Sequence, residues 1–234
     1  MQPYYDRDGI TIYCGDCRDV LPHLPPASVD LVLTDPPYGV AYSTGHRQRV
    51  ARSSTRLAHD LATSPLLNDT ATALVPLLND TATAYVFAAP KRLDDVLPIV
   101  RTIGDVPNVL CWDKGNCTAG DLETTYGPQW EAIIYARRAR VPLVGGRDRD
   151  VLKFSRGNTA QYHHPTQKPT DLLRYLIRRH PPGLVLDPFM GSGSTLVASQ
   201  LEGRRAIGIE LEERYCEIAV RRLQQAVLPL EGVA

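Results

Sequence analysis

The residues best equipped for chemistry are Asp35-Pro36-Pro37-Tyr38, which follow the apolar run Val29 to Thr34. A strand that stops there brings to one spot a carboxylate, a carbonyl, a stiff turn and an aromatic face. Such a set can hold a planar base that carries an exocyclic amine. The Asp35 carboxylate accepts one N–H, the Pro36 carbonyl accepts the other, and the Tyr38 ring stacks on the base. Proline fixes φ and has no amide donor, so Pro36 and Pro37 end the strand and stiffen the loop. The plainer reading is a strand followed by a rigid turn, and the tetrapeptide alone does not choose between the two.

A second constellation lies far downstream. Gly183 to Asp187 reads as a short apolar strand, followed by the glycine-rich turn Pro188-Phe189-Met190-Gly191-Ser192-Gly193. Leu196 to Leu201 then reads as a helix, which Ser194 or Thr195 can cap. Glycine in such a turn permits positive φ and close approach of backbone to a ligand. A second strand, Arg205 to Ile209, ends on Glu210, which is well placed for ribose hydroxyls. The glycine spacing is not that of a dinucleotide fingerprint, and no Gly-Lys-Ser/Thr marks a triphosphate loop. Many strand–helix turns carry glycine for structural reasons alone; acidic residues at both strand ends point to a ligand.

Taken in order, these motifs resemble the S-adenosylmethionine-dependent DNA amino-methyltransferases, in the circularly permuted beta class whose catalytic motif precedes its cofactor motif. The resemblance runs from about residue 8 to 225. It implies an α/β fold, a doubly wound Rossmann-like sheet that is mostly parallel with an antiparallel strand. It implies catalytic roles for Asp35, Pro36, Pro37 and Tyr38. Cofactor contacts are implied at Asp16, Cys17, Asp35, His164, Thr166, Lys168, Asp187, Pro188, Phe189, Gly191, Ser192, Gly193, Thr195 and Glu210. Asp16 and Cys17 resemble the segment that contacts the cofactor's adenine, and His164 to Pro169 the segment just before the cofactor turn. The implied reaction is direct in-line transfer of a methyl group to the amine of a flipped-out base, with no covalent enzyme intermediate. Aspartate at position 35 resembles the adenine-N6 members, with cytosine-N4 as the alternative. An RNA methyltransferase and a non-catalytic DNA-binding module are further alternatives. The implied partner is double-stranded DNA, with a homodimer and a separately encoded restriction enzyme as additional expectations.

Composition sets limits. A chain of 234 residues with 43% hydrophobic content can bury one substantial α/β core. The expectation is a single catalytic domain over 1–234, a basic loop at 40–60 and a target-recognition insert at 139–163. No apolar run approaches transmembrane length, and the N-terminus lacks the form of a signal peptide. Five cysteines do not read as a disulfide scaffold, so a cytoplasmic location is expected. Cys14 and Cys17 have the spacing of a zinc half-site, but Cys111 and Cys117 are spaced too widely to complete it, and no metal is expected. The formal net charge is zero. Charge is nonetheless segregated: Arg47, Arg49, Arg52 and Arg56 follow the Asp35 turn without an acid, and Arg137 to Lys153 is a second basic stretch. Arg47, Arg49, Arg52, Arg147 and Arg149 are the candidate phosphate contacts.

The elements that must position these residues alternate between strand and helix. Strands are predicted at Ile10–Cys14, Val29–Thr34, Ala84–Ala88, Asn108–Asp113 and Glu131–Ala136. Helices are predicted at 60–78, Lys91–Ile103, Thr170–His180 and Leu211–Gln225. Trp130 and Tyr135 read as core. Trp112-Asp113-Lys114 reads equally as base-pocket lining or strand-end turn. Leu66 to Ala73 recurs as Leu77 to Ala84, a local duplication to which no function is assigned. Alanine at Arg47, Arg49 and Arg52 is expected to weaken DNA binding and flatten the plot of log affinity against log salt by roughly 0.9 per lost phosphate contact. An unchanged slope would remove that loop from the phosphate contacts.

Overall fold

The computed structural model describes residues 1–37, 63–116, 123–124, 126–156 and 167–226. In chain order the elements are β1 (Tyr5–Arg7), β2 (Ile10–Cys14), α1 (Cys17–Val20), β3 (Val29–Thr34), α2 (Thr63–Leu74), β4 (Leu78–Ala88), α3 (Leu93–Val100) and β5 (Asp105–Asp113). There follow β6 (Trp130–Arg137), β7 (Val151–Lys153), α4 (Thr170–Arg178), β8 (Val185–Asp187), α5 (Ser194–Leu201), β9 (Ala206–Glu210) and α6 (Glu213–Ala226).

The strands form one nine-stranded sheet in the order β1-β2-β9-β8-β3-β4-β6-β5-β7. It is mostly parallel, as expected, but two strands run against the rest: β1 pairs antiparallel with β2, and β6 with both β4 and β5. The β1–β2 hairpin turns at Asp8 and Gly9, both at positive φ (53° and 77°). An Asp-Gly pair at such angles matches the twist of a two-residue hairpin. The chain runs from β8 through α5 to β9 on one side and from β3 through α2 to β4 on the other. The crevice between β8 and β3 is therefore the topological switch point, where open α/β sheets bind ligands.

Alternation along the strands fills a core on each side of the sheet. Leu31, Leu33, Tyr85, Phe87, Ile133 and Tyr135 face α4, α5 and α6. Val32, Ala84, Val86, Ala132, Ile134 and Ala136 face α1, α2 and α3. Burial on both faces explains why β3 is nearly continuous in apolar residues. Trp130 departs from the core expectation. It begins β6 at the rim and keeps 38% of its surface exposed, while Tyr135, mid-strand, is buried.

The duplicated segment takes two conformations. Leu66 to Ala73 lies in α2, where Thr70 and Thr72 donate to the carbonyls of Leu66 and Asn68. In the second copy, Val75 to Leu77 form a 3-10 turn containing Pro76, and Leu78 onward is β4. The helix expected over 60–78 thus ends at Leu74, and the strand expected from Ala84 begins at Leu78. Tertiary pairing decides the second copy: Thr83 and Ala84 sit opposite Leu31 and Val32 on one side and Arg137 and Ala136 on the other. The helix expected over Lys91–Ile103 is a 3-10 turn at Pro90–Arg92 followed by α3, which stops at Val100.

His180, just beyond α4, is buried between β4 and β6. Its Nδ1 is 3.1 Å from Thr83 Oγ1 and its Nε2 2.9 Å from Tyr85 Oη. Burial, with Arg179 and Arg204 nearby, lowers its pKa to about 4. A lowered folded-state pKa means that the unfolded chain takes up this proton first. Stability is therefore lost as pH falls from the unfolded value near 6.5 toward 4. His180 should contribute about 2 kcal/mol of the stability lost between pH 7 and pH 5. Urea unfolding of His180→Gln at both pH values should show a loss smaller by that amount; an equal loss would mean that His180 titrates normally.

Candidate active site

Four strand ends meet along one rim. β3 leads to Asp35, β8 ends on Asp187, β9 ends on Glu210, and β2 leads through Gly15 to Asp16. Gly15 N donates to Glu210 O at 2.9 Å, which ties β2 to β9 at the rim. Between these ends lies a cavity of about 450 Å³, in the range of small-molecule sites. Its walls include Asp16, Cys17, Asp35, Pro36, Pro37, Lys168, Asp187, Pro188, Phe189, Gly191, Ser192, Thr195 and Glu210. Residues far apart in the chain and selected for two different purposes thus line one space.

The carboxylates have different surroundings. Thr34 Oγ1 donates to Asp187 Oδ1 at 2.7 Å, and the Phe189 amide donates to the same oxygen at 3.1 Å. Burial pushes Asp187 up to about 6, against the hydroxyls of Thr195 and Thr34. Glu210 receives the amides of Gly191 at 3.1 Å and Glu212 at 2.8 Å. Burial raises its pKa, with those amides opposing. Each carboxylate oxygen can accept more than one hydrogen bond, so capacity remains for a ligand. Asp16 caps α1 through the Arg18 amide and takes the Arg18 guanidinium at 2.6 Å, which holds its carboxyl below the usual range.

The glycine-rich turn is shaped by two glycines with different jobs. Gly193, at φ 79°, is the N-cap of α5; a Cβ there would lie 2.6 Å from the Ala219 Cβ. It lets α5 and α6 approach and stands behind the cavity wall. The expected cap by Ser194 or Thr195 is not made: Thr195 Oγ1 reaches Leu33 O at 3.4 Å, and Ser194 Oγ accepts from Arg222. Gly191, at φ 52°, faces open space, so its requirement is backbone conformation beside the cavity. Arg222 of α6 clamps the turn through Ser192 O at 2.6 Å.

Asp35 belongs to a part-buried chain of charges, its two lysines buried, that includes residues beyond the sequence motifs. Lys168 Nζ donates to Asp35 Oδ2 at 2.7 Å and lies 3.0 Å from Glu131 Oε2. Lys114 and Arg156 approach the other Glu131 oxygen at 3.5 and 3.8 Å. The Lys168 ammonium sits 5.0 Å from the Phe87 ring centre and 6.0 Å from that of Trp112. Burial opposes its charge, but Asp35 and Glu131 outweigh burial and raise its pKa. Glu131, Lys114, Phe87 and Trp112 thus stand behind the Asp35 turn, and only Trp112 and Lys114 carried a sequence signal toward it.

Other expected residues fall elsewhere. Arg147 and Arg149 are exposed, on the loop ahead of β7. This loop is held against α4 by Tyr175 Oη donating to Asp148 at 2.7 Å and by Arg179 donating to the Gly146 carbonyl. It does not belong to the cavity wall. Cys14 is exposed and Cys17 buried, with its Sγ 3.4 Å from Thr70 Oγ1. Among the described residues no group of three His, Cys, Asp or Glu side chains is placed to hold a metal. Tyr38, Arg47, Arg49, Arg52, His164 and Thr166 lie outside the described residues.

Comparison with known proteins agrees with this geometry. The family model N6_N4_Mtase, DNA methylase, matches residues 29–221. YubD of Escherichia coli (strain K12), named as a methylase, is 36% identical over 214 residues, covering 89% of this chain and 88% of its own. The DNA adenine methyltransferase YhdJ of the same organism is 26% identical, covering 95% and 85%. Among solved structures, the cytosine-N4-specific PvuII DNA methyltransferase superposes with a TM-score of 0.76 at 16% identity, covering 99% of this chain and 91% of its own. TTHA0409 of Thermus thermophilus, named as a DNA modification methylase and solved with S-adenosyl-L-methionine, gives 0.67 at 24%, covering 94% and 96%. With its motifs gathered on one cavity and a family match over most of its length, this chain belongs to the DNA methylase family of N6/N4 amino-methyltransferases.

Proposed function

We propose that the chain methylates the N6 amine of adenine in duplex DNA, with S-adenosylmethionine as donor. The observation that carries this reading is the placement of Asp35 on the same cavity as Asp187 and Glu210. The donor supplies an electrophilic sulfonium methyl group. The chain's own residues fit it. Among the described residues, five carboxylates (Asp16, Asp35, Asp187, Glu210, Glu212) but two cations (Arg18, Lys168) line the cavity, a balance that favours a cationic ligand. Glu210 is assigned to the ribose hydroxyls, the Gly191 turn to the amino-acid end, and Asp16 and Cys17 to the adenine edge.

On the acceptor side, Asp35 and the Pro36 carbonyl accept the two N–H bonds of the target amine. An aromatic amine is a weak nucleophile because its lone pair is delocalised into the ring. Two in-plane acceptors favour a more tetrahedral nitrogen whose lone pair can react. The base must leave the stack to reach this position, and holding both reactants in one cavity supplies much of the rate gain. No covalent bond to the chain is needed. Arg147 and Arg149 are assigned to the DNA backbone on their exposure, within the recognition segment 139–163.

Adenine is preferred over cytosine on two grounds: the aspartate at position 35 and the relatedness to a protein named as an adenine methyltransferase. The fold is neutral, since a cytosine-N4 enzyme shares it. Incubation with labelled donor and mixed-sequence duplex DNA, then nucleoside mass spectrometry, should yield N6-methyladenine. N4-methylcytosine would reassign the base, and label on RNA alone would reassign the acceptor. Glu210→Ala should weaken donor binding by about 10- to 100-fold, the loss of a charged hydrogen bond worth roughly 1.5–3 kcal/mol. An unchanged dissociation constant by calorimetry would remove Glu210 from the ribose site.

A further inference from the structure

We propose that Lys168, braced by Glu131, is a positioning residue for methyl transfer: it orients Asp35 and keeps it a hydrogen-bond acceptor. The inference rests on the reading of Asp35 as the amine acceptor. It departs from the motif-based assignment of Lys168 to the donor. The two carboxylates come from different elements, Asp35 from the end of β3 and Glu131 from the start of β6. Lys168 joins them at 2.7 and 3.0 Å while 8% exposed. Because β6 runs antiparallel, its first residues lie at the same rim as the last residues of β3 and β4. The brace can therefore reach the acceptor turn from behind.

Three physical points favour a positional role. An unbranched apolar side chain could fill the space between Phe87 and Trp112 without the cost of burying an ammonium, so packing does not call for lysine here. Lys168 takes Asp35 Oδ2, and a carboxylate has further lone pairs on both oxygens with which to receive a base amine. The neighbouring Gln167 approaches Ser192 Oγ of the donor turn at 3.5 Å, so consecutive residues serve the two halves of the cavity.

The charged groups that face Asp35 are Lys168, Glu131 and Arg156, with Asp187 on the adjoining strand. Burial raises the Asp35 pKa, and Lys168 is the strongest opposing influence. Without the ammonium, burial, Glu131 and Asp187 would all push Asp35 toward its protonated form. A protonated Asp35 would present an O–H where an acceptor is needed.

The test compares wild type, Lys168→Met, Lys168→Ala, Glu131→Gln and Asp35→Asn in the full-length chain. Single-turnover methyl transfer to duplex DNA is measured against pH, alongside the dissociation constant for S-adenosylmethionine. Lys168→Met should lose roughly 100-fold in turnover at neutral pH, the cost of a misplaced reacting group. Its activity should begin only at higher pH than in wild type, while donor affinity stays unchanged. Lys168→Ala should be partly rescued by added ethylammonium, which a purely structural role would not allow. If Lys168→Met does not fold, Glu131→Gln tests the brace through turnover, which should fall with donor affinity unchanged. The pH at which activity begins should not rise in Glu131→Gln, since Glu131 itself pushes Asp35 toward the protonated form. Wild-type turnover in Glu131→Gln would then overturn the inference. Wild-type turnover and pH profile in Lys168→Met, with Asp35→Asn inactive, would overturn the inference and leave Asp35 as acceptor. Loss of donor affinity in step with turnover would also overturn it, by making Lys168 a donor ligand. An active Asp35→Asn would instead overturn the acceptor reading beneath it.

Discussion

The pairing of β3 with β8 at the centre of the sheet is the constraint on which the rest of the site depends. Leu31 and Val32 lie opposite Val185 and Leu186, so the strands that carry Asp35 and Asp187 end side by side. The Thr34 hydroxyl crosses the seam to Asp187 at 2.7 Å, with both side chains buried at the cavity wall. An interior carboxylate without such partners would be costly to bury. The bond therefore also fixes the relative height of the two strand ends. From that seam the chain winds away in opposite directions, and the crevice left at the switch point becomes the cavity.

Burial and charge oppose each other throughout this cavity, and each carboxylate meets the conflict differently. Asp187 relies on neutral hydroxyls and an amide, Glu210 on backbone amides, and Asp16 on an exposed arginine. Asp35 alone is held by a buried ammonium, itself held by Glu131. The difference follows from position. Asp187 and Glu210 sit beside turns whose amides donate to them, whereas Asp35 precedes two prolines that have no amides to give. Its stabilising cation has to come from elsewhere in the chain, from Lys168 just ahead of α4. Local rigidity at the Asp35 turn is thus obtained at the expense of local hydrogen-bond donors, and long-range electrostatics fills the gap.

Much of this was legible in the sequence because local chemistry repeats where local geometry repeats. Strand ends at Asp35, Asp187 and Glu210 are visible as apolar runs that stop on an acid, and the structure places all three on one cavity. Glu131 had no such signal. It opens an antiparallel strand, and only the topology puts the start of that strand at the rim that carries Asp35. The second copy of the duplicated segment shows the same limit: helix-compatible residues become strand because β3 and β6 flank them. The exposure of Trp130 follows from its place at the start of β6, on the rim of the sheet. Charge runs were the least informative, since Arg137 and Arg138 are engaged by Asp105 and by the Val75 and Leu78 carbonyls of their own fold.

The central claim is that Asp35 serves the acceptor while the neighbouring strand ends serve the donor, within one cavity. Measuring methyl-transfer turnover and donor affinity on the same preparation of Asp35→Ala tests it most directly. The account predicts that turnover falls by about 10²–10³-fold, as when a polar group aimed at the reacting atoms is removed, with the donor dissociation constant close to wild type. Undiminished turnover, or a donor affinity lost in proportion to turnover, would contradict it.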